Sequence, residues 1–194
     1  MSSSQLSPVS RLDSDRRDKE SNNNWDYYGD KISKSKSKRN IRVVFQNING
    51  LRVTKETDKR DNIRQFINTY KIDIFAAAEV NINWKIVSKK QSLPSLAKEW
   101  FDNSRAIASH NILVNTKTSH QQGGVAIITS GDMASKVSQS KHDPCLMGRW
   151  CSVQYRGKRG VFLRVVSVYV PIVTSSHGNK TVFAQQQSAL QSKK

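Results

Sequence analysis

A short apolar run that ends on a single carboxylate constrains the fold of this chain more than any other sequence feature. Residues 72–78 are almost continuously apolar, and Glu79 follows them directly. Such a run is typical of a β-strand that is buried on both faces, as in a sheet covered by other layers. We therefore expect a layered core with a carboxylate at the end of one of its strands.

Regular elements are predicted on both sides of this run. Residues 41–45 are β-branched and aromatic and predict a strand, and an apolar stripe predicts a helix that begins near Asp58. Further predictions are a helix over 93–102, strands over 106–108, 124–129, 150–155 and 161–170, a hairpin loop over 156–160, and a last helix that contains Val182 and Leu190. Strands separated by helices, with one hairpin, indicate an α/β sandwich.

The composition changes sharply near residue 40. Residues 1–40 are rich in Ser, Asn, Asp and Lys and contain few apolar side chains, so we expect a disordered basic and polar tail. Residues 34–39 within it are either a weak nuclear-localisation-like run or a solvated linker. The folded part is expected over residues 41–194.

The chain is strongly basic, with 32 Lys plus Arg, 15 Asp plus Glu and a formal net charge of +17. This charge favours a polyanion such as nucleic acid as partner, with a solvated basic surface as the alternative. Arg156, Lys158 and Arg159 in the hairpin loop either contact phosphates or form a solvated turn.

Several classes of protein are not expected from this sequence. No apolar run approaches the length of a membrane-spanning helix, and the first residues have no apolar secretory segment. We therefore expect a protein of the nucleus or cytoplasm, with no membrane partner. Cys145 and Cys151 are too few for a disulfide framework or a four-ligand zinc site.

Glu79 is the first candidate for chemistry, because a carboxylate at the end of a buried strand lies where open α/β sheets build their sites. It either holds a hard cation such as Mg²⁺ or caps the backbone of its loop. Asn47 and Asn49 follow the strand at 41–45 on the same side of the chain. Their amides either orient phosphate or metal-bound water, or belong to an Asn-Gly turn. If the two strands are neighbours, all three side chains emerge at one edge of the sheet.

At this point the sequence resembles the endonuclease/exonuclease/phosphatase superfamily, the DNase I-like and exonuclease III-like proteins. Residues 46–52, Gln-Asn-Ile-Asn-Gly-Leu-Arg, match the first family motif, and residues 73–79 match the second, with Ala78 where Gln is usual. Residues 123–127, 148–150 and 168–171 match later landmarks in the right order. Residues 180–187 are similar to a helix in the endonuclease domains of non-LTR retroelements.

The resemblance implies the N-terminal part of a four-layer α/β sandwich, incomplete at its C-terminus, and Mg²⁺-dependent phosphodiester hydrolysis, with Mn²⁺ as an alternative ion. It implies that Glu79 is the metal ligand, that Asn49 assists the metal site and that Asn47 orients the scissile phosphate. It also implies nucleic-acid contacts for Arg52, Asn81 and Tyr169.

The sequence departs from the family in its second half. The G-D-x-N and S-D-H motifs, which supply the water-activating Asp and the His of the family site, do not occur, and no Asp or Glu follows Pro171. Gln122 stands where many relatives carry a phosphate-contacting Tyr. The histidines, expected to be solvated loop residues, are His110, His120, His142 and His177.

Three interpretations remain. The first is a retroelement-type DNA endonuclease domain, inactive as this truncated chain, with a reverse transcriptase encoded downstream as a candidate partner. The second is a non-catalytic, basic nucleic-acid-binding fragment. The third is a gene-fragment product without a stable fold. The phosphatase branch of the superfamily fits less well, because its substrates do not call for a charge of +17.

Overall fold

Two β-sheets lie face to face in the computed structural model, which describes residues 32–51, 58–114 and 117–171. The first sheet contains β1 (Val43–Asn47), β2 (Ile74–Ala78), β3 (Ser104–Ser109) and β4 (Val125–Ser130) in the order β1-β2-β4-β3. The second contains β5 (Val137–His142), β6 (Trp150–Arg156) and β7 (Phe162–Val168) in chain order. Several predictions lie outside the described residues: those for residues 1–31, Arg52, His177 and the last helix.

Helices cover the first sheet and its end. They are α1 (Asp58–Thr69), α2 (Leu93–Trp100) and α3 (Asp132–Ser135), with short 3₁₀ turns at Lys89–Gln91 and Lys158–Gly160. The predicted stripe of α1 buries Ile63 and Ile67, and the ring of Phe66 meets the edge of Phe75 in β2 with centroids 6.5 Å apart. The helix α1 therefore packs on the face of β2 that points away from the second sheet. The helix α2 packs against β3.

The strand β2 is buried along its whole length, as its continuous apolar sequence predicts. It pairs in parallel with β1, with Val43 opposite Ile74 and Asn47 opposite Ala78, and antiparallel with β4. The predicted βαβ unit is thus confirmed, and the ends of β1 and β2 lie side by side.

The main core lies between the two sheets. Its buried residues are Ile74, Ala76, Ile107, Val125, Ile127, Met133, Cys151, Val153 and Tyr155. Two buried hydrogen bonds also join the sheets: Thr129 Oγ1 and Tyr155 Oη are 2.7 Å apart, and Ser167 Oγ donates to the carbonyl of Ala77 at 2.9 Å. The predicted α/β sandwich is confirmed by this arrangement.

Most predicted elements form, but one strand and one short helix were not predicted. The hairpin of β6 and β7 is antiparallel, with Arg156 opposite Phe162, as expected. The strand β5 was missed because its sequence is mostly polar and its side chains are mostly exposed, so it lacks the apolar alternation of a half-buried strand. The four-residue helix α3 was missed as well.

Residues before β1 contact the first sheet. Lys36 Nζ forms an ion pair with Asp73 at 2.6 Å, and Arg42 Nη1 donates to the carbonyl of Ser33 at 2.9 Å. The expected tail over residues 1–40 stays a prediction, but its last described part is held to the fold by these contacts. Within the described ranges, no helix has the length and apolar character needed to cross a membrane.

Candidate functional site

Asn47, Asn49 and Glu79 lie at the same end of the first sheet. Asn47 is the last residue of β1 and is opposite Ala78, the last residue of β2. The two following loops continue the pairing, because Ile48 N donates to the carbonyl of Ala78 at 3.0 Å and Gly50 N to that of Glu79 at 2.6 Å. The structure brings these residues together as their strand-end positions predict, and their chemical roles stay predictions.

Three residues of this site have backbone φ angles that are uncommon for residues other than glycine. The φ angles of Asn49, Glu79 and Asn81 are 44°, 52° and 58°, in the left-handed region that favours glycine. Each such residue costs about 1–2 kcal/mol, and backbone strain of this kind concentrates at functional sites. The surrounding hydrogen bonds therefore hold two loops in conformations that the chain would not adopt alone.

Asn81 links the loop after β2 to the loop before β4. Its backbone N–H donates to the carbonyl of Gly123 at 2.8 Å, and its side-chain oxygen accepts a hydrogen bond from Gly123 N at 2.7 Å. Its carbonyl accepts from Gln121 N at 3.1 Å. A nucleic-acid contact of Asn81 stays a prediction, and the structure adds a positioning role that the sequence did not suggest.

Tyr169 joins the site from the second sheet. Its backbone N–H donates to the carbonyl of Arg149 at 2.8 Å, and its hydroxyl lies near the Glu79 side chain. Burial, followed by the charge of the nearby Glu79, raises the pKa of Tyr169 above its ordinary value. The phenol therefore stays protonated near neutral pH.

The loop after β1 is held in place by two local contacts. Asn47 Oδ1 accepts a hydrogen bond from Asn49 N at 3.1 Å, which leaves the amide NH₂ of Asn47 as a donor. Lys59 of α1 donates from Nζ to the carbonyls of Ile48 at 2.7 Å and Asn49 at 3.1 Å. The sequence did not point to Lys59, whose only signal is its place in the first turn of the helix that follows the loop.

The available ligands fit a weakly held, largely hydrated Mg²⁺ ion. In the described part of the chain, no group of three or more His, Cys, Asp or Glu residues is placed to bind a metal. Mg²⁺ accepts one or two carboxylates and keeps several waters, so the single carboxylate of Glu79 is compatible with such an ion, and the ligand roles of Glu79 and Asn49 stay predictions. Zinc would require more nitrogen or sulfur ligands.

The basic hairpin lies at the other end of the sandwich. Arg156 and Lys158 line a cavity with Ile41, which precedes β1, whereas Glu79 follows the end of β2. The seven residues of β7 separate the hairpin from Tyr169, a span of about 20 Å. The structure therefore does not bring the basic hairpin to Glu79, and the predicted phosphate contacts there would form a separate patch.

His110 corrects one expectation, because this histidine is buried and not a solvated loop residue. It is 9% exposed, and burial, followed by the charges of Lys85 and His142, lowers its pKa to about 4. Gly148 has a φ of 68°, and a Cβ atom there would lie 2.2 Å from the carbonyl carbon of His110. Gly148 belongs to the motif at residues 148–150. It was the only feature of the sequence that could have indicated close packing against His110. His120 and His142 are exposed, as expected, but His142 is the last residue of β5 and not a loop residue.

Comparison with known proteins gives matches among solved structures. No family model matches the chain, and no curated protein matches it. The fold is similar to that of a 3′ phosphatase from Neisseria bound to a product DNA hairpin, with 14% identity and a TM-score of 0.46 over 78% of this chain and 49% of that one.

It is also similar to an AP endonuclease from Archaeoglobus fulgidus, with 14% identity, a TM-score of 0.46 and coverage of 78% of this chain and 48% of that one. A third likeness is to an endonuclease/exonuclease/phosphatase family protein from Leptotrichia buccalis, with 14% identity, a TM-score of 0.45 and coverage of 80% and 63%. The chain thus spans about half the length of the first two structures. These are likenesses of fold.

Proposed function

We propose that this chain forms the N-terminal part of a Mg²⁺-dependent DNA endonuclease site of retroelement type, and that alone it binds nucleic acid without cleaving it at an enzymic rate. The observation that carries the proposal is the meeting of Asn47, Asn49 and Glu79 at one end of the first sheet, with Tyr169 of the second sheet near Glu79. We further propose a place in the nucleus or cytoplasm, and a reverse transcriptase encoded downstream as partner.

The charge of the chain supports a nucleic-acid substrate. A net charge of +17 on 194 residues produces a positive potential that attracts phosphate backbones without regard to sequence. At the site itself, Lys59 adds a cation beside the loop that carries Asn47 and Asn49. A phosphodiester is therefore the substrate class that these residues suit best.

Each residue of the site has a limited task. Glu79 and Asn49 would hold Mg²⁺, which when bound supplies positive charge to the phosphate of the transition state. The NH₂ of Asn47, whose amide oxygen accepts from Asn49 N, donates to a phosphate oxygen, and the Tyr169 hydroxyl lies near the Glu79 carboxylate. The described contacts of Glu79 include no second carboxylate or histidine to take a proton from water. Lack of a general base typically costs about 10²–10⁴-fold in rate.

The metal site is tested by titrating Mn²⁺ into the isotopically labelled chain and following the paramagnetic broadening of amide signals. We expect broadening centred on residues 47–50 and 79–81, lost in Glu79→Gln. Glu99→Gln is the matched control, because the Glu99 side chain is 60% exposed and lies on α2. Broadening that persists in Glu79→Gln, or that follows Glu99 instead, would contradict the assignment.

Cleavage is tested by nicking of supercoiled plasmid in Mg²⁺, with the wild type, Glu79→Gln and Glu99→Gln compared on one preparation. We expect no nicking that depends on Glu79. We expect all three proteins to bind DNA, seen as a shift of the DNA band in a gel-shift assay. Robust nicking that disappears only in Glu79→Gln would refute the proposed inactivity and show that the chain supplies its own general base.

A second candidate function is non-catalytic binding through the basic hairpin. The observation that favours it is that Arg156, Lys158 and Arg159 lie at the opposite end of the sandwich from Glu79. These basic residues could therefore bind nucleic acid independently of the strand-end site. If binding depends on the hairpin, replacing these three residues by Ala will weaken DNA affinity far more than Asn47→Ala does. The reverse order of effects would place the nucleic acid at the strand-end site.

A further inference from the structure

The loop after β1, residues 48–51, uses its backbone N–H groups to bind the loop after β2. Gly50 N donates to the carbonyl of Glu79 at 2.6 Å, and Leu51 N donates to that of Val80 at 2.8 Å. These bonds fix one side of the loop. Its own carbonyls need other partners, because a buried backbone polar group without a hydrogen bond costs free energy.

Lys59 supplies partners on the carbonyl side of the loop. Its Nζ donates to the carbonyl of Ile48 at 2.7 Å and to that of Asn49 at 3.1 Å. Ile48 is buried, and the bond to its carbonyl is partly buried, so water would replace that bond poorly. One side chain of α1 therefore holds two consecutive residues of the loop.

The place of Lys59 within α1 is electrostatically unfavourable. Lys59 is the second residue of this helix, and the first turn also contains Asp58 and Asp61. The helix dipole favours acidic side chains in the first turn and disfavours cations there. The bonds of Lys59 to the loop carbonyls offset this unfavourable position, which indicates that the role of Lys59 lies outside its own helix.

Asn49 is the residue whose backbone depends on these bonds. Its φ of 44° lies in the left-handed region. Its N–H donates to Asn47 Oδ1 at 3.1 Å, and its carbonyl accepts from Lys59, so both peptide groups that flank its Cα atom are held. Such a conformation persists only where the surrounding contacts fix it. Loss of the Lys59 ammonium would therefore loosen Asn49 at the sheet end that it shares with Glu79.

We propose that Lys59 is a positioning residue of the candidate site, which holds Asn49 in place for a metal ion. The proposal rests on the proposed function, in which Asn49 assists Glu79 at the metal. Lys59 acts through Asn49 and is not a ligand itself, because an ammonium group has no acceptor lone pair. Replacing a residue that orients a metal ligand typically lowers metal affinity by about 10–100-fold.

A purely electrostatic role of Lys59 predicts the opposite effect on metal affinity. The ammonium group repels a divalent cation, so its removal would tighten metal binding if charge alone mattered. A positioning role predicts weaker binding on removal, because the loop must then be ordered when the ion binds. The sign of the change in metal affinity therefore separates the two roles.

The first test is amide hydrogen exchange of the full chain without metal. In Lys59→Met, which keeps a long unbranched side chain, we expect the amides of Gly50 and Leu51 to exchange at least about 10-fold faster than in the wild type, because the loop opens locally. The amide of Ile127, in the core, is expected to keep its wild-type rate. Lys59→Arg retains charged donors and is expected to lie closer to the wild type than to Lys59→Met.

The second test is the midpoint of an Mn²⁺ titration, followed by the broadening of the amide signals of residues 79–81. We expect the midpoint concentration to rise about tenfold in Lys59→Met and to rise less in Lys59→Arg. Arg64→Met is the matched control, because it removes one positive charge from an exposed position of the same helix. It is expected to leave both the midpoint and the exchange rates unchanged.

The positioning role is overturned by any of three results for Lys59→Met: unchanged exchange of Gly50 and Leu51, equal acceleration at Ile127, or an Mn²⁺ midpoint that stays the same or falls. Equal effects of Lys59→Met and Arg64→Met would overturn it as well. The proposed function fails on a different result, namely broadening that does not depend on Glu79 in a chain with the native Lys59. The two failures are therefore distinguishable.

Discussion

The burial of His110 sets a lower limit to the pH range in which the fold is stable. In the unfolded chain the imidazole takes a proton near pH 6.5, but in the folded chain the pKa is about 4. Between these values the unfolded state binds more protons, so stability is lost as the pH falls. We expect a loss of about 3 kcal/mol in the free energy of unfolding between pH 7 and pH 4.

Urea unfolding at several pH values checks this effect. His110→Asn is expected to reduce the slope of stability against pH, and His120→Asn, at an exposed position, is expected to keep the wild-type slope. An unchanged slope in His110→Asn would mean that other groups cause the acid sensitivity.

Gly148 and Gly131 offer a matched pair for separating steric overlap from backbone strain. Both have positive φ, 68° and 61°, but a Cβ at Gly148 would lie 2.2 Å from the His110 backbone, while at Gly131 it would meet nothing within 4 Å. We expect Gly131→Ala to cost about 1–3 kcal/mol from strain alone, because a φ of 61° with a ψ of −142° is a conformation that residues other than glycine rarely adopt, and we expect Gly148→Ala to cost more, from strain plus overlap. Equal shifts in the urea midpoint would contradict the close packing of Gly148.

At the residue scale, the sequence predicts only part of the site. Asn47, Asn49 and Glu79 could be placed together because they follow strands that a βαβ unit makes neighbours. The hydrogen bonds of Asn81 with Gly123 and the burial of His110 could not be predicted, because they depend on loops that lie far apart in the chain. No periodic pattern in the sequence indicates which of these loops will contact each other.

At the scale of elements, the hydroxyl contact between β4 and β6 stabilises the packing of the two sheets. Thr129 Oγ1 and Tyr155 Oη are buried and 2.7 Å apart, and burial raises the pKa of Tyr155 to about 12. Tyr155→Phe leaves the Thr129 hydroxyl without this partner, which typically costs about 1–3 kcal/mol.

The double-mutant cycle with Thr129→Val measures the coupling. We expect the double variant to be less destabilised than the sum of the two single variants, because no buried hydroxyl is then left unpaired. Additive losses in the free energy of unfolding would show that the two hydroxyls do not depend on each other.

Elements with a strong pattern were predictable, and exposed elements were not. The burial of β2 and the stripe of α1 follow directly from their sequences. In contrast, β5 consists of Val137–His142 with mostly exposed side chains, and it forms because it pairs with β6. Hydrogen bonding to β6 therefore stabilises β5, although the sequence of β5 has no apolar pattern that predicts a strand.

At the scale of the whole molecule, the charge dominates the expected binding behaviour. We predict that affinity for duplex DNA falls by at least about 100-fold between roughly 50 and 200 mM salt, since binding releases counterions from several phosphates. Fluorescence anisotropy with two unrelated DNA sequences checks both the slope and the lack of sequence preference. Affinity that is independent of salt, or that differs strongly between the two sequences, would contradict this prediction.

The order of strands in the first sheet has a consequence for how quickly the chain reaches its native state. The hairpin of β6 and β7 joins neighbours in sequence, but β2 lies between β1 and β4, and Ser167 and Ala77, which bond across the sheets, are 90 positions apart. Contacts between distant residues slow folding, because the entropy of closing long loops must be lost first. In pulse-labelled hydrogen exchange during refolding, the amides of the hairpin should therefore gain protection before those of β1 and β2. During that interval the apolar surfaces of β2 and β4 remain exposed to solvent. The partly folded chain is then most prone to aggregate.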